Sequence, residues 1–516
     1  SRNYTDGYIR NAFAKVQSLY SVLGWMNEKN SLKLTYLLGD QHSGITWNGI
    51  SLSQYEEDRR YNSAGEYTDA YGNLRYYDNE TDNYRQHHLQ LNYTRQFTDA
   101  LLWTTTFNYT RGDGYYENYK AERSSTKYGF DEKFYGDFII REAMANDYFV
   151  VNSDLRFHRD RLSLTGGINL SSYDGDHFGK LLWSDVLGTE SGYDYDSHYW
   201  YLNRGLKREV NAFLRGEFTP LPWMTAYADL QYRGVSLLMS GEEDDGGLLD
   251  YKNTWNFFNP RAGLNFQWGK GHRAYLSAAL GHREPGRSDI KEVIISRNWG
   301  DDKADLKPEK MVDIELGYTW SGAKGALSAN IYLMEYWDML LETGKLSDVG
   351  YAIKENVGRS YRRGIELAGA WTPLTWLQVD ANATLSTNKV THFVGYFDRI
   401  DSDWNYLDGQ EKIDFGETDI LMSPSLIGML QFTFRPFEHT SISLNGKYVG
   451  EQYIDNTSSD ERMIPDYFVA NLSATHTFHI GEGTLEASVF VNNLLNHLYY
   501  ADGWTYNVYD CDKQMI

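Results

Sequence analysis

The sequence predicts an all-β fold: a transmembrane antiparallel β-barrel. Three observations carry this reading. Apolar and polar residues alternate with period two over much of the chain, short and long connections alternate between those runs, and aromatic residues gather near the ends of the runs. Composition sets the bounds. At roughly 150 residues per soluble domain, a soluble chain of 516 residues would hold several domains, yet no linker or change of composition marks a boundary. Mean hydropathy is −0.58, and no apolar stretch reaches the roughly 18 residues a spanning helix needs. A helical membrane protein is thereby excluded. A barrel is not, because its strands alternate faces and average out as polar.

The alternation is legible run by run. Leu162, Leu164 and Ile168 oppose Ser163, Thr165 and Asn169. Met224, Ala226, Ala228 and Leu230 oppose Thr225, Tyr227, Asp229 and Gln231. Leu327, Ala329, Ile331 and Leu333 oppose Ser328, Asn330 and Tyr332. Later runs repeat the pattern: Leu377 to Leu385 against Gln378 to Ser386, Ile442 and Leu444 against Ser443 and Asn445, and Leu485 to Val491 against Glu486 to Asn492. Successive strand side chains point to opposite faces, so each run is a strand with one apolar and one polar side. A soluble sandwich also alternates. Here, however, Trp25, Trp103, Trp223, Trp268, Trp320, Trp371 and Trp376 sit near run ends, where an interfacial girdle would place them. The runs read as strands of about 9–12 residues, enough to cross a bilayer at a tilt.

Short connections fall at 27–31, 96–100, 158–161, 219–223, 268–272, 321–325, 372–375, 435–438 and 481–483. Long ones span 39–86, 110–147, 171–207, 233–256, 282–310, 338–361, 388–424 and 449–466. This strict sorting is that of outer-membrane barrels, with short periplasmic turns and long extracellular loops. Nine short turns imply about 18 strands. Both ends of the chain read as loop, so further strands are expected before residue 1 and after residue 516, because an open edge cannot face lipid.

Charge and chemistry narrow the function. The net charge is −22, which disfavours nucleic acid as a partner. The lone Cys511, between Asp510 and Asp512, excludes a disulfide framework and argues against a reactive thiolate. The opening Ser1-Arg2-Asn3 shows no leader-like stretch and is read as the start of a mature fragment. The acidic run Glu242, Glu243, Asp244 and Asp245 is a weak calcium candidate, and a solvated loop tip is the commoner meaning of such a run. His87 and His88 are adjacent in a strand and point opposite ways, so they and His177 do not make a metal site. No phosphate loop and no nucleophile elbow is present, so no catalytic residue and no cofactor is expected.

The long connections are rich in Tyr, Asp, Gly and Asn, and loops of this length are rarely without function. Tyr71, Tyr76, Tyr77, Tyr195, Tyr199 and Trp200 offer rigid amphipathic contact surface for a ligand. Taken singly, each is more often a girdle or loop-packing residue. Arg283 and Arg287, at the opening of a long connection, suit the carboxylate or catecholate oxygens of an anionic chelate, with loop-anchoring ion pairs as the commoner role. Asp229, Arg233, Asp380 and Asn382 fall on the polar faces and would line a lumen.

Several segments resemble TonB-dependent receptor barrels. Leu306-Lys307-Pro308-Glu309 through Leu316-Gly317-Tyr318 resembles their "LKPE…ELG" stretch, Val489 to Tyr500 the "V.NLFN..Y" stretch, and Tyr361 to Glu366 a strand start after a loop. Arg283-Glu284-Pro285-Gly286-Arg287 and Tyr448 to Thr457 (with Tyr453, Asp455 and Asn456) are similar to stretches of Bacteroidetes members. The resemblance covers essentially the whole chain, as one barrel domain over 1–516. It implies a bacterial outer-membrane barrel of 22 strands, of which about 18 are visible, with the plug, its TonB box, the first strands and the last strand outside the supplied chain. It further implies non-enzymatic capture and energised import of a scarce nutrient: a ferric siderophore or other small-molecule iron chelate first, cobalamin next. The implied partners are the TonB–ExbB–ExbD motor acting through the plug, outer-membrane lipid, and a surface lipoprotein. A passive plugless porin or adhesin barrel, or a soluble carbohydrate-binding β-protein at the cell surface, is the alternative.

Overall fold

The computed structural model describes all residues except 188–193, 196–197, 245, 299–304, 347–351 and 506, and the side chains other than those of 296–298, 343–346, 352–353 and 408. Eighteen long strands flank nine short turns, as the alternation predicts. They are β1 Ala14–Met26, β2 Asn30–Gly44, β3 Thr81–Thr98, β4 Leu101–Ser124, β5 Tyr135–Arg159, β6 Leu162–Ser184, β7 Tyr199–Leu221, β8 Met224–Glu242 and β9 Leu248–Trp268. The series continues with β10 His272–Arg283, β11 Glu309–Gly322, β12 Gly325–Trp337, β13 Arg359–Leu374, β14 Leu377–Ile400, β15 Leu426–Phe434, β16 Thr440–Val449, β17 Tyr467–Ile480 and β18 Gly483–Val491. The chain forms two compact units. One is Ser1–Arg215 with Leu230–Phe258 and Ile290–Asp305; the other is Gly216–Asp229 with Asn259–Asp289 and Leu306–Ile516.

In the first unit, β1 to β6 form an antiparallel meander in which each strand pairs with the next. The register explains the two faces. Leu23, Leu34, Leu91, Phe107, Val151 and Leu170 stand in one row across six strands. On the other face Lys33, Asn92, Thr106, Asn152 and Asn169 make an equally continuous polar row. The polar row bonds within itself, with Asn92 donating to Thr106 at 2.7 Å and Asn169 to Asn152. Leu23, Leu34, Phe107 and Leu170 are exposed. An exposed, continuous apolar face backed by a hydrogen-bonded polar face is what a bilayer on one side and water or protein on the other demands.

The apolar face ends in charge. Past Leu38, Leu89, Tyr109 and Phe149, Asp40 lies opposite Arg85 and Arg111 opposite Asp147, with ion pairs of 3.0 and 2.7 Å, and Asp174 pairs with Arg204. At the short-turn ends, Trp25 in the first unit and Trp223, Trp268, Trp320, Trp371 and Trp376 in the second are exposed, as interfacial residues are, whereas Trp103 is half-buried and donates to Ser153 at 2.9 Å.

The second unit is built the same way. β10 to β18 pair in sequence, and Leu276, Leu316, Ile331, Ile365, Leu385 and Leu426 form its apolar row. Asn27 shows how a short turn closes: its Oδ1 accepts from the Lys29 and Asn30 amides at 3.0 and 2.9 Å, an Asx turn. Gly271 shows why glycine occupies another, since its φ is +88° and a Cβ would lie 1.9 Å from the Ser321 carbonyl oxygen.

The predicted strand lengths are too short. β4 and β5 run 24 and 25 residues, and β6 and β7 each run 23. About 10 residues cross a bilayer, so these strands continue well beyond it. Much of 110–147 and 171–207 is therefore strand, not loop. Alternation is hidden there because both faces of the extension are covered by other parts of the chain. On one face Tyr128, Phe138, Ile140, Leu181, Trp200 and Tyr201 form a buried apolar cluster. On the other, Tyr67 and Tyr77 stack on Tyr119 at 4.3 and 5.8 Å. A further strand, Tyr406–Asp419, pairs with the far end of β14, whose near end pairs with β15.

Leu181, fully buried in the cluster, anchors the extension. Leu181→Ala is expected to cost the extension roughly 2–5 kcal/mol. Hydrogen exchange checks it: amides around Phe138 to Glu142 exchange faster, while those around Thr104 to Tyr109 keep wild-type protection.

Candidate functional site

The chemistry-bearing residues lie at the long-connection ends of the strands. In the first unit, segment 45–80 folds back onto the extended β4–β6 sheet. Arg10 ties it down, donating to the Asn62 carbonyl at 2.9 Å and to that of Ala64 at 2.6 Å while covering the Tyr76 ring at 3.7 Å. Tyr77 donates to Glu117 at 2.6 Å, and Arg141 binds the other oxygen of that carboxylate at 2.7 Å. Burial and the Glu117 charge push the Tyr77 hydroxyl above the usual phenol range. Tyr76 and Tyr77, predicted as ligand contacts, thus hold the segment in place. Tyr71 differs: it is 90% exposed at the tip of the hairpin Glu66–Thr68/Leu74–Tyr76. Asp69 fixes that tip by accepting from the amides of Tyr71 and Asn73 and from Arg75, and the Asn73 amide and Arg75 hold its carboxyl down to about 2.

Trp200 and Tyr195 belong to the apolar cluster. Trp200 is buried and meets Tyr128 edge-on at 5.2 Å, and Tyr195 is half-buried against the same group. Tyr199, on the opposite side of its strand, is 44% exposed, with Lys180 5.1 Å over its ring. In the acidic run, Glu242 is exposed and Glu243 is buried in an ion pair with Lys291 at 3.2 Å. Asp244 is half-buried and Asp245 lies outside the described residues. Among the described residues no three ligating side chains converge on a metal position. His87 and His88 point to opposite faces, as predicted, toward Tyr36 and Thr110.

A polar cluster that sequence reasoning missed lies beside the apolar one. Tyr116 donates to Glu142, and Trp47 meets Tyr116 edge-on at 5.7 Å. Both residues stand beyond the membrane-crossing part of β4 and β5. Burial raises the Glu142 carboxyl to about 7, with the Asp244 charge adding to it. No alternation in the sequence points to it, because Asp113, Tyr115 and Glu117 on the opposite face are as polar as Gly112, Gly114 and Tyr116.

In the second unit, Arg283 bridges the Glu309 carboxylate and the Leu340 carbonyl, at 2.9 and 3.1 Å, and the Leu340 amide donates to the same Glu309 oxygen. The Arg283 side chain remains 52% exposed. Arg287 opens the helix α1 Arg287–Asn298 and is half-buried. The motif residues Asp455 and Asn456 clasp loops together. Asp455 receives Thr457, Arg462 and Asn507, and Asn456 accepts from the Leu421 amide and donates to the Glu342 carbonyl. Lower on the polar face, Tyr275 donates to Glu315 and Asn330 at 3.0 and 2.9 Å, and Asn330 donates to Glu366 at 3.2 Å. Open depressions of about 590 and 610 Å³ lie at the short-turn ends, beside Trp103 and Trp376, and belong to the girdle.

This geometry is what comparison with known proteins explains. Residues 27–494 match the family described as TonB dependent receptor-like, beta-barrel, and the chain belongs to that family. Receptors of this family are outer-membrane transport proteins that work with TonB, not enzymes. Among solved structures, the ferric-catecholate import receptor Fiu of E. coli K12 in its closed form is 12% identical with a TM-score of 0.68, over 97% of this chain and 73% of that one. The ferric yersiniabactin uptake receptor FyuA of Yersinia pestis is 12% identical with a TM-score of 0.65, over 98% and 71%. The copper transporter OprC is 15% identical with a TM-score of 0.68, over 96% and 69%. At such identities these likenesses speak for the fold alone. No curated protein sequence matches the chain.

Glu142 gives a pH prediction. Its folded-state pKa, about 7, lies above the ordinary 4.5, so between those values the folded state holds a proton that the unfolded state has released. The packing of the extension is therefore expected to weaken as pH rises from about 4.5 to about 7 and to change no further above that. Proteolysis of the extension across pH 5 to 8 reads this, and Glu142→Gln flattens the profile.

Proposed function

We propose that the chain, residues 1–516, is the barrel domain of an active importer that captures a scarce nutrient at the cell surface and passes it to the periplasm. The observation that carries the reading is the sorting of connections: nine short turns at one end of the strands and long, internally clasped segments at the other, within a chain that belongs to the receptor family over 27–494. The polar-face network of Tyr275, Glu315, Asn330 and Glu366 is suited to meet a plug. The energy comes from TonB with ExbB and ExbD pulling on that plug, and no bond of the cargo changes. Iron chelates are the first cargo class, with Fiu and FyuA, whose names denote ferric uptake, supporting it. Copper stands beside it through OprC, and cobalamin rests on the family resemblance alone.

Accessibility ranks the ligand candidates. Tyr71, Tyr199 and Arg283 present free surface, whereas Tyr76, Tyr77, Tyr195 and Trp200 are engaged in packing. A surface lipoprotein would meet the same long-connection end.

The test is uptake of radiolabelled ferric citrate, a ferric catecholate, copper and cobalamin by cells carrying the natural full-length protein. The reading expects one metal chelate to enter, dependent on TonB and an energised inner membrane. Tyr71→Ala is expected to weaken its binding about threefold to tenfold, around 1 kcal/mol. Uptake indifferent to TonB would overturn the importer in favour of a passive pore.

A further inference from the structure

The register of the second unit brings an unusual row onto its exposed apolar face. Climbing that face from the short turns, the row Leu316, Ile331, Ile365 and Leu385 is followed by Ile314, Leu333, Arg363 and Thr387, and then by Val312, Glu335, Tyr361 and Lys389. The last row is His282, Lys310, Trp337 and Arg359, directly opposite one another on four neighbouring strands. Lys310, Trp337 and Arg359 stand at the strand ends far from the short turns, past the roughly 10 residues that cross hydrocarbon. They sit where headgroups begin.

Charge also marks the matching level of the first unit, where Lys15 is exposed and lies 5.6 Å from the Phe13 centroid. There Arg85, Arg111 and Arg204 each meet an aspartate. In the second unit Arg363 pairs with Glu335, and Lys389 with Asp419 at 2.8 Å. Lys310 and Arg359 meet no carboxylate within ion-pair distance among the described residues. Both instead lie over the one Trp337 ring, at 5.2 and 5.5 Å to its centroid, and both are exposed. Two like charges flanking one ring repel each other, and an anion bound between them removes that repulsion. Lysine supplies a point charge and arginine a planar fork, both suited to phosphate oxygens. Tryptophan at this depth is at home among headgroups.

We propose that Lys310, Trp337 and Arg359 form a binding site on the bilayer-facing surface for the phosphate of an anionic lipid headgroup. The occupant is a lipid and not free phosphate, because the site is continuous with the apolar rows that hold acyl chains. The inference rests on the outer-membrane placement. It adds to it a specific lipid contact on one sector of the surface, marked by two exposed cations over a single tryptophan ring.

The experiment is native mass spectrometry of the detergent-solubilised full-length protein titrated with phosphatidic acid or with phosphatidylcholine. Retention of phosphatidic acid at least tenfold tighter than of phosphatidylcholine is expected. The double variant K310Q/R359Q is expected to bring the two lipids to equal retention, and each single variant to an intermediate value. K270Q, at a short turn on the other end of the strands, leaves the preference intact. Equal retention of both lipids by the wild type overturns the site, as does an undiminished preference in the double variant. Inorganic phosphate at millimolar concentration displacing the phosphatidic acid overturns the assignment to lipid. Retention of neither lipid overturns the membrane placement itself. Heat-modifiable electrophoretic mobility shows that each variant is folded, and a single variant decides if the double one is not.

Discussion

Every backbone N–H and C=O that enters hydrocarbon must bond to protein, because the bilayer offers nothing else. The rest of this structure follows from that constraint. Strands satisfy it only by pairing along their whole length, so β1 to β6 and β10 to β18 pair without interruption across the membrane-crossing rows. Continuous pairing fixes the register, and the register lines up Leu23 to Leu170 on one side and Lys33 to Asn169 on the other. The short turns are then free to be minimal, as at Asn27 and Gly271, and sequence variety is left to the other end.

Beyond the bilayer the same strands keep pairing for a different reason. Water could satisfy their backbones there, so the extension must be held by packing. β4 to β6 do this with the apolar cluster around Phe138 and Leu181 on one face and the Tyr67, Tyr77 and Tyr119 stack on the other. The second unit uses a cluster of Tyr336, Met339, Leu341, Val390, Ile420 and Leu421, and the Asp455 and Asn456 clasp. These are packed platforms, and Tyr71 is left exposed at the tip of one of them.

The membrane-crossing fold was legible in the sequence because a bilayer imposes one rule on every strand. Leu377 to Leu385, read as one face, form one face, and the nine short turns fall where alternation breaks. The extensions were not legible, because both of their faces carry large side chains: Tyr115, Tyr116, Glu117 and Tyr119 read as loop when alternate members serve two packed layers. Site residues suffered from the same cause. Tyr76, Tyr77 and Trp200 have the composition of ligand contacts, yet packing claims them, and only a structure separates an aromatic that faces solvent from one that faces a neighbouring strand. Glu309 and Asp455 were visible as motif members, but Arg283 and the Leu340 amide, and Asn507, reach them from 26 to 52 residues away, and no local pattern marks the nearer Arg462 as a partner of Asp455.

The central claim is that the strands cross the outer membrane with the long connections outside. Single-cysteine labelling in intact cells tests it most directly, with Cys511 replaced by serine. The account predicts that a membrane-impermeant maleimide labels Asn73→Cys in intact cells, labels Lys270→Cys only after permeabilisation, and labels Leu316→Cys in neither case. Labelling of Lys270→Cys in intact cells to the extent seen at Asn73→Cys would contradict it.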